Sequence, residues 1–249
     1  MSKELQEKNA NSFRQANGLS LTEPIRIKSI LQSNQILTVY RKLSSGFSGM
    51  AIRTGTPGSY KRFILINSDH SIGKQHFTIC HELYHLFFQE NFVYSTSAAG
   101  KFDPKGDKEE YNADLFASRL LLPTAGIQKL IPDHEMPKNR ITLKTILSIE
   151  NYFSSSRSAL LYRLKELGHI DTSFYNQYST RIIHGALSYG YQTDLYNSGN
   201  DNLVIGDYGI IARDLFDGGK ISESHYFTLL EDIGINIQEL EDNGCRPEE

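Results

Sequence analysis

The spacing of apolar positions divides the chain into a run of short, well-marked elements up to Gly168 and a less regular tail. Residues 3–17 are mostly polar, with a weak helical pattern at Leu5, Phe13 and Ala16 that Gly18 can close. Pro24 stands at a first helical position ahead of Ile25, Ile27, Ile30 and Leu31. Three β-like runs follow, Ile36–Tyr40, Ser48–Arg53 and Arg62–Asn67, punctuated by Gly46 and by Gly55-Thr56-Pro57-Gly58. Their short connections predict an antiparallel meander. After Gly73 the period changes, and Phe77 to Phe88 reads as a helix that is apolar on nearly every side.

Tyr94 to Asp107 carries Gly100, Pro104 and Gly106 and predicts a loop over or beside that helix. Lys108 to Leu122 is a second strong helix, stopped by Pro123. From Ile141 the pattern is helix, a Ser154-Ser155-Ser156 break, and helix again, with Ser156 as N-cap and Gly168 as C-cap. Beyond Asp171 the chain is tyrosine-rich up to Tyr196 and has a loop at Asn197–Asn202 and a helix over Gly209–Phe216. A further helix is capped by Ser222, and the acidic end from Glu241 is expected to fray. The class is α+β, a small antiparallel sheet with helices followed by a mostly helical C-terminal part. Three regions are expected, 1–137, a helical hairpin at 138–170 packed on the first, and 171–249 for recognition or sensing.

A helix apolar all round is normally buried, yet this one holds His81, Glu82 and His85, which are costly to bury unpaired. His81 and His85, four apart, stack on one face. Two imidazoles so placed can bind Zn2+, and Glu82 lies where it can take a proton from water at the open coordination position. This is the His-Glu-x-x-His signature of zinc peptidases. A third ligand is expected from the next long helix, where Glu110 competes with Glu109. Only Glu110 has a carboxylate four residues on, Asp114, which can accept the outer N–H of a ligating histidine. His184, Tyr84 and Tyr111 are candidates to donate to a developing oxyanion. His76 is five residues before His81 and faces elsewhere on the helix.

Composition narrows the remaining classes. With 39% hydrophobic and 22% charged residues the profile is that of an ordinary soluble globular protein, and a net charge of −3 calls for neither nucleic acid nor an anionic membrane. The polar start lacks the apolar core of a signal peptide, and no apolar run would span a bilayer. Cys80 and Cys245 are too few for a disulfide framework, so a cytoplasmic location is expected.

With these residues assembled, the chain resembles the ImmA/IrrE family of zinc metallo-endopeptidases. The resemblance runs through Phe47-Ser48-Gly49, Ile64-Leu65-Ile66-Asn67, Gln75-His76-Phe77-Thr78, His81-Glu82-Leu83-Tyr84-His85, Glu110-Tyr111-Asn112-Ala113-Asp114-Leu115-Phe116-Ala117 and Leu120-Leu121-Leu122-Pro123. It extends to about Gly168, and Cys80, Tyr84 and Asp114 depart mildly from the family's usual residues. The resemblance implies a thermolysin-like, gluzincin-type core, zinc on His81, His85 and Glu110, and Glu82 as general base. It also implies a protein substrate, a helix-turn-helix transcriptional repressor of a mobile element, phage or stress regulon. Two rivals remain. One is a module that sequesters such a repressor without cutting it. The other is DNA binding by Ile141–Gly168 through Arg157 and Arg163, which the strongly apolar second helix disfavours.

Overall fold

The computed structural model describes residues 3–238. In chain order these form α1 (Lys3–Ala16), α2 (Ile27–Ser33), β1 (Ile36–Arg41), β2 (Gly49–Thr54), β3 (Lys61–Asn67), α3 (Ile72–Phe87), β4 (Tyr94–Ser97), α4 (Lys108–Leu121), α5 (Thr124–Leu130), α6 (Leu143–Phe153) and α7 (Arg157–Glu166). The tail adds α8 (Thr172–Tyr178), α9 (Ile182–Ser188), β5 (Val204–Ile205), α10 (Tyr208–Asp217) and α11 (Glu223–Asp232). Helices and one mixed sheet make the fold α+β.

The strands lie in the order β4-β2-β3-β1-β5. β3 pairs antiparallel with β2 but parallel with β1, which corrects the antiparallel meander expected from the short connections. The chain between β1 and β2 crosses the end of β3 instead of folding back as a hairpin. Asn67, the buried last residue of β3, makes that crossover possible. Its amide donates to the carbonyls of Ser44 and Phe47 at 3.0 and 2.8 Å, and its side-chain oxygen accepts from the Leu43 N–H at 3.0 Å. One side chain thus satisfies a turn whose backbone has no ladder to join.

The sheet also takes an edge strand from each of two stretches in which no strand is expected. β4 converts the first part of the predicted Tyr94–Asp107 loop into a strand beside β2, and β5 brings the tail back onto β1. α3 lies between sheet and α4, with every side chain from Phe77 to Leu86 buried. α1 closes over it through Phe13, whose ring meets Phe87 at 5.3 Å and Phe116 at 6.1 Å. The helix expected from Pro24 starts later, at Ile27. The fully buried Arg14 guanidinium draws on the carbonyls of Ser20, Glu23 and Leu120, which holds the segment before Ile27 out of helical register.

The helical hairpin forms as the caps predict. Thr142 and Ser156 accept from Thr145 N–H and Ala159 N–H, and Ser154 takes the left-handed turn between the helices. It sits close to α3, since a Cβ on Gly73 would come within 2.7 Å of the Ser156 nitrogen. Arg157 and Arg163, only 2% and 1% exposed, point into the protein. Arg157 forms a two-pronged pair with the buried Glu150 at 2.6 and 2.7 Å, and Arg163 bonds Glu7 and Glu166, each at 2.7 Å. Both guanidiniums are taken up by these carboxylates. In the tail, Ser222 caps α11, and α10 and α11 pack around Ala212, Tyr226 and Leu230 as a small second cluster. Glu241 onward, with Cys245, lies outside the described residues. Among the described residues no helix is long and apolar enough to cross a membrane.

Removing one partner of a buried pair strands the other charge. Arg157→Ala is therefore expected to lower the unfolding free energy by about 3–5 kcal/mol. Urea denaturation of the two proteins checks this.

Candidate metal centre

His81 and His85 are one turn apart on α3, and their Nε2 atoms approach to 3.1 Å. Glu110, from the first turn of α4, places one carboxylate oxygen 3.2 Å from His81 Nε2 and the other 3.3 Å from His85 Nε2. Asp107 fixes that first turn by accepting the N–H groups of Glu109 and Glu110. The competitor Glu109 is engaged elsewhere, accepting the Tyr84 hydroxyl at 2.8 Å.

The outer ring nitrogens determine what this convergence means. His81 Nδ1 lies 2.9 Å from Asp114 Oδ1, and His85 Nδ1 bonds the side-chain oxygen of Gln89. Each outer nitrogen faces an acceptor and so carries the proton, which leaves each Nε2 of a neutral ring with a lone pair. Two such lone pairs and a carboxylate aimed at one spot repel one another unless a cation lies between them. His81, His85 and Glu110 therefore have the donor set and geometry to hold a metal ion. Without a metal the cluster must take up a proton. Burial disfavours the imidazolium at His81, but the bonds to Asp114 and Glu110 outweigh it and push its pKa up to about 10. Burial also works against charge on Glu110, yet the two imidazoles hold it well below the usual carboxylate range.

Glu82 is fully buried. Its Oε1 accepts the Ser97 hydroxyl at 2.5 Å and its Oε2 the Ser95 hydroxyl at 3.2 Å. Burial raises its pKa, against the pull of His81, His85 and the Ser97 bond. Space for the carboxylate depends on Gly49 in β2, where a Cβ would sit 3.0 Å from Glu82 Oε1 and 2.6 Å from the Thr78 methyl. The imidazoles and Glu110 open into a cleft of about 700 Å³, walled by Tyr94, Ser95 and Thr96 on one side and by Lys101, Asp103 and Tyr111 elsewhere.

Of the three suggested oxyanion donors, only Tyr111 lines this cleft. Tyr84 does not: its ring packs between Phe88 and Phe116 and its hydroxyl is committed to Glu109. His184 is exposed outside the cleft, in a groove beside Arg181 and Ile183. His76 faces the hairpin and bonds the Ser154 carbonyl at 2.9 Å.

A family model described as Peptidase_M78, IrrE N-terminal-like domain, matches residues 34–165, more than half of the chain. The chain belongs to this family. No curated protein matches it. Membership supports a metallopeptidase-type function, and the matched span contains β1 to β4, the candidate metal-binding cluster and nearly all of the hairpin.

Several contributors to this M78 site escape a reading of residue types. Ser95 and Ser97 alternate on a strand of only four residues, and the backbone N–H groups of Gly100 and Phe102, which bond Asp114 at 2.8 and 2.7 Å, have no side-chain signature. Gln89 has a weak one, its position four residues after His85. Its turn is held by Arg53, which donates to the carbonyls of Leu86, Gln89 and Phe92, and the Phe92 ring lies against His85 with centroids 5.5 Å apart.

Asp114→Ala and Gln89→Ala each free one imidazole to rotate. Each is expected to weaken metal affinity roughly 10- to 100-fold. Glu109→Gln should leave it unchanged. Chelator-competition titrations of the purified variants measure all three.

Proposed function

We propose that this protein is a zinc endopeptidase of gluzincin type, acting in the cytoplasm on a helix-turn-helix transcriptional repressor. The observation that carries the catalytic part is Glu82. A fully buried carboxylate held by two hydroxyls, with no ion pair to Lys or Arg among the described residues, is costly unless a nearby cation offsets its charge or chemistry requires it. The repressor as substrate rests on the resemblance to the ImmA/IrrE family.

His81, His85 and Glu110 would hold the zinc, which when bound lowers the pKa of a water toward 7 and polarises the scissile carbonyl. Glu82 accepts the proton of the attacking water and returns it to the departing amine, and Ser95 and Ser97 keep its oxygens in position for both transfers. Among the described residues β4 is an edge strand, paired with β2 alone, and Tyr94, Ser95 and Thr96 line the cleft. An extended substrate segment can add there as a further strand. Val93 and Tyr94, 62% and 70% exposed, offer it apolar contact. Tyr111 is the donor within reach of a developing oxyanion. The tail contributes recognition, with Ile183, Leu187 and Tyr189 exposed on and just after α9.

Glu82→Gln preserves size and hydrogen bonding, so zinc content should hold while cleavage falls by roughly two to four orders of magnitude. Zinc-loaded protein is incubated with casein and with the repressor encoded beside its gene, and products are followed by mass spectrometry. A single cut in the repressor with casein spared is expected. Normal cutting by the Glu82→Gln variant would overturn the mechanism, and rapid casein digestion with the repressor intact would overturn the substrate. Tight repressor binding with no cut would make the protein a sequestering module.

A further inference from the structure

Two grooves continue from the metal cleft. The first, about 380 Å³, shares Ala99 and Lys101 with the cleft and runs past Phe102 and Tyr162. The second, about 460 Å³, shares Lys74, Ser156 and Ser158 with the first and reaches Arg181. Their charge is one-sided. The chain has more acidic than basic residues, 29 against 26, yet among the described residues no Asp or Glu lines either groove. Among the described residues, Lys74, Lys101 and Arg181 take part in no ion pair, and the only side-chain partner of the Lys74 amine is His70 at 3.3 Å. Arg157 also lines the second groove, but its charge is neutralised by Glu150. The cleft itself has the opposite sign, with Asp103, Asp107, Glu109, Glu110 and Asp114 on its walls.

We propose that the two grooves bind an acidic segment of the protein substrate, adjacent in sequence to a neutral or basic stretch that is cut in the cleft. The proposal rests on the endopeptidase reading and names the kind of sequence that reading would select. Lys101, Lys74 and Arg181 succeed one another along the grooves, as a peptide with spaced carboxylates requires. Between them the walls are aromatic: Phe77, Phe102, Tyr162 and Tyr175 line the first groove, with Phe102 stacked on Tyr162 at 3.6 Å. Intervening apolar side chains have somewhere to pack. An acidic segment threaded into the cleft would instead meet five carboxylates, only some of them offset by a metal. The sign change at Lys101 therefore sets which part of the substrate goes where. A peptide fits better than a nucleic acid, because the grooves continue a cleft built for polypeptide and their cations are few and interleaved with serines.

Fluorescence anisotropy with the full-length zinc-loaded Glu82→Gln protein tests this. The probes are a fluorescein-labelled peptide of glutamates interspersed with tyrosines, the same peptide with glutamine for each glutamate, and an oligothymidylate of similar length. The acidic peptide should bind roughly ten-fold or more tightly than its glutamine counterpart, and weaken as salt is raised. Reversing two charges, Lys74→Glu with Arg181→Glu, should weaken it roughly ten-fold or more without changing zinc content. The milder Lys74→Gln with Arg181→Gln pair should give a smaller loss, and serves if the reversal variant folds poorly. Equal binding of the acidic and glutamine peptides, or no effect of either substitution pair, overturns the proposal. Tighter binding of the oligothymidylate would assign the grooves to nucleic acid instead. The binding should survive removal of zinc by chelation, so failure of the metal-dependent cut and failure of the grooves are separate results.

Discussion

A helix buried on all sides cannot leave polar side chains unsatisfied, and α3 buries two imidazoles and a carboxylate within five residues. Meeting that demand organises the structure around it. Asp114 on α4 serves His81, Gln89 in the turn after α3 serves His85, and Ser95 and Ser97 on β4 serve Glu82. Each partner comes from a different element, so the network fixes the placement of all of them against the helix. Asp114 reaches furthest, because its two oxygens also take the N–H groups of Gly100 and Phe102. The loop beyond β4 is thereby tied to His81 of the candidate metal centre.

A second polar system holds the outer helices on this core. Glu7 on α1, Arg119 on α4 and Arg163 and Glu166 on α7 meet in one cluster, in which Glu166 accepts from both arginines at 2.7 Å. Burial opposes ionisation of Glu166, but the two arginines prevail and lower its pKa. Apolar packing of similar volume could provide equal stability. What the ionic cluster adds is register, since α1, α4 and α7 can satisfy it in only one mutual arrangement. It also explains why α1 reads as a weakly patterned, polar helix: Gln6 and Arg14 are buried against its neighbours, and Glu7 joins the ionic cluster.

Local signals were sufficient for much of this. The four-residue spacing of His81 and His85, the Glu110–Asp114 pair, the Ser156 and Ser222 caps and the hairpin break at Ser154–Ser156 are all short-range features, and the structure places these residues as the spacing suggests. What could not be read depends on contacts distant in the chain. Nothing near β1 indicates that β3 will insert beside it, because the decisive group is the side chain of Asn67. β4 carries too few apolar positions, and β5, only Val204 and Ile205, is too short, to be told from loop. Tyr84 and His184 were plausible as oxyanion donors by residue type alone; Glu109 occupies the first, and the position of α9 removes the second from the cleft.

The charge distribution bears on how such a site can be selective. Peptide bonds are chemically alike, so discrimination must come from what flanks them. An acid-rich cleft repels acidic segments even when a divalent ion offsets part of its charge, and that repulsion acts on every protein the enzyme meets. A basic, aromatic-walled continuation accepts what the cleft rejects, but only in a chain where the two kinds of sequence lie side by side. Neither feature alone is demanding. Their adjacency at Lys101 is, because a substrate must match a change of sign at a fixed distance from the bond to be cut. On the proposed reading, specificity follows from the geometry of two ordinary surfaces, and a rigid mould of the substrate is not required.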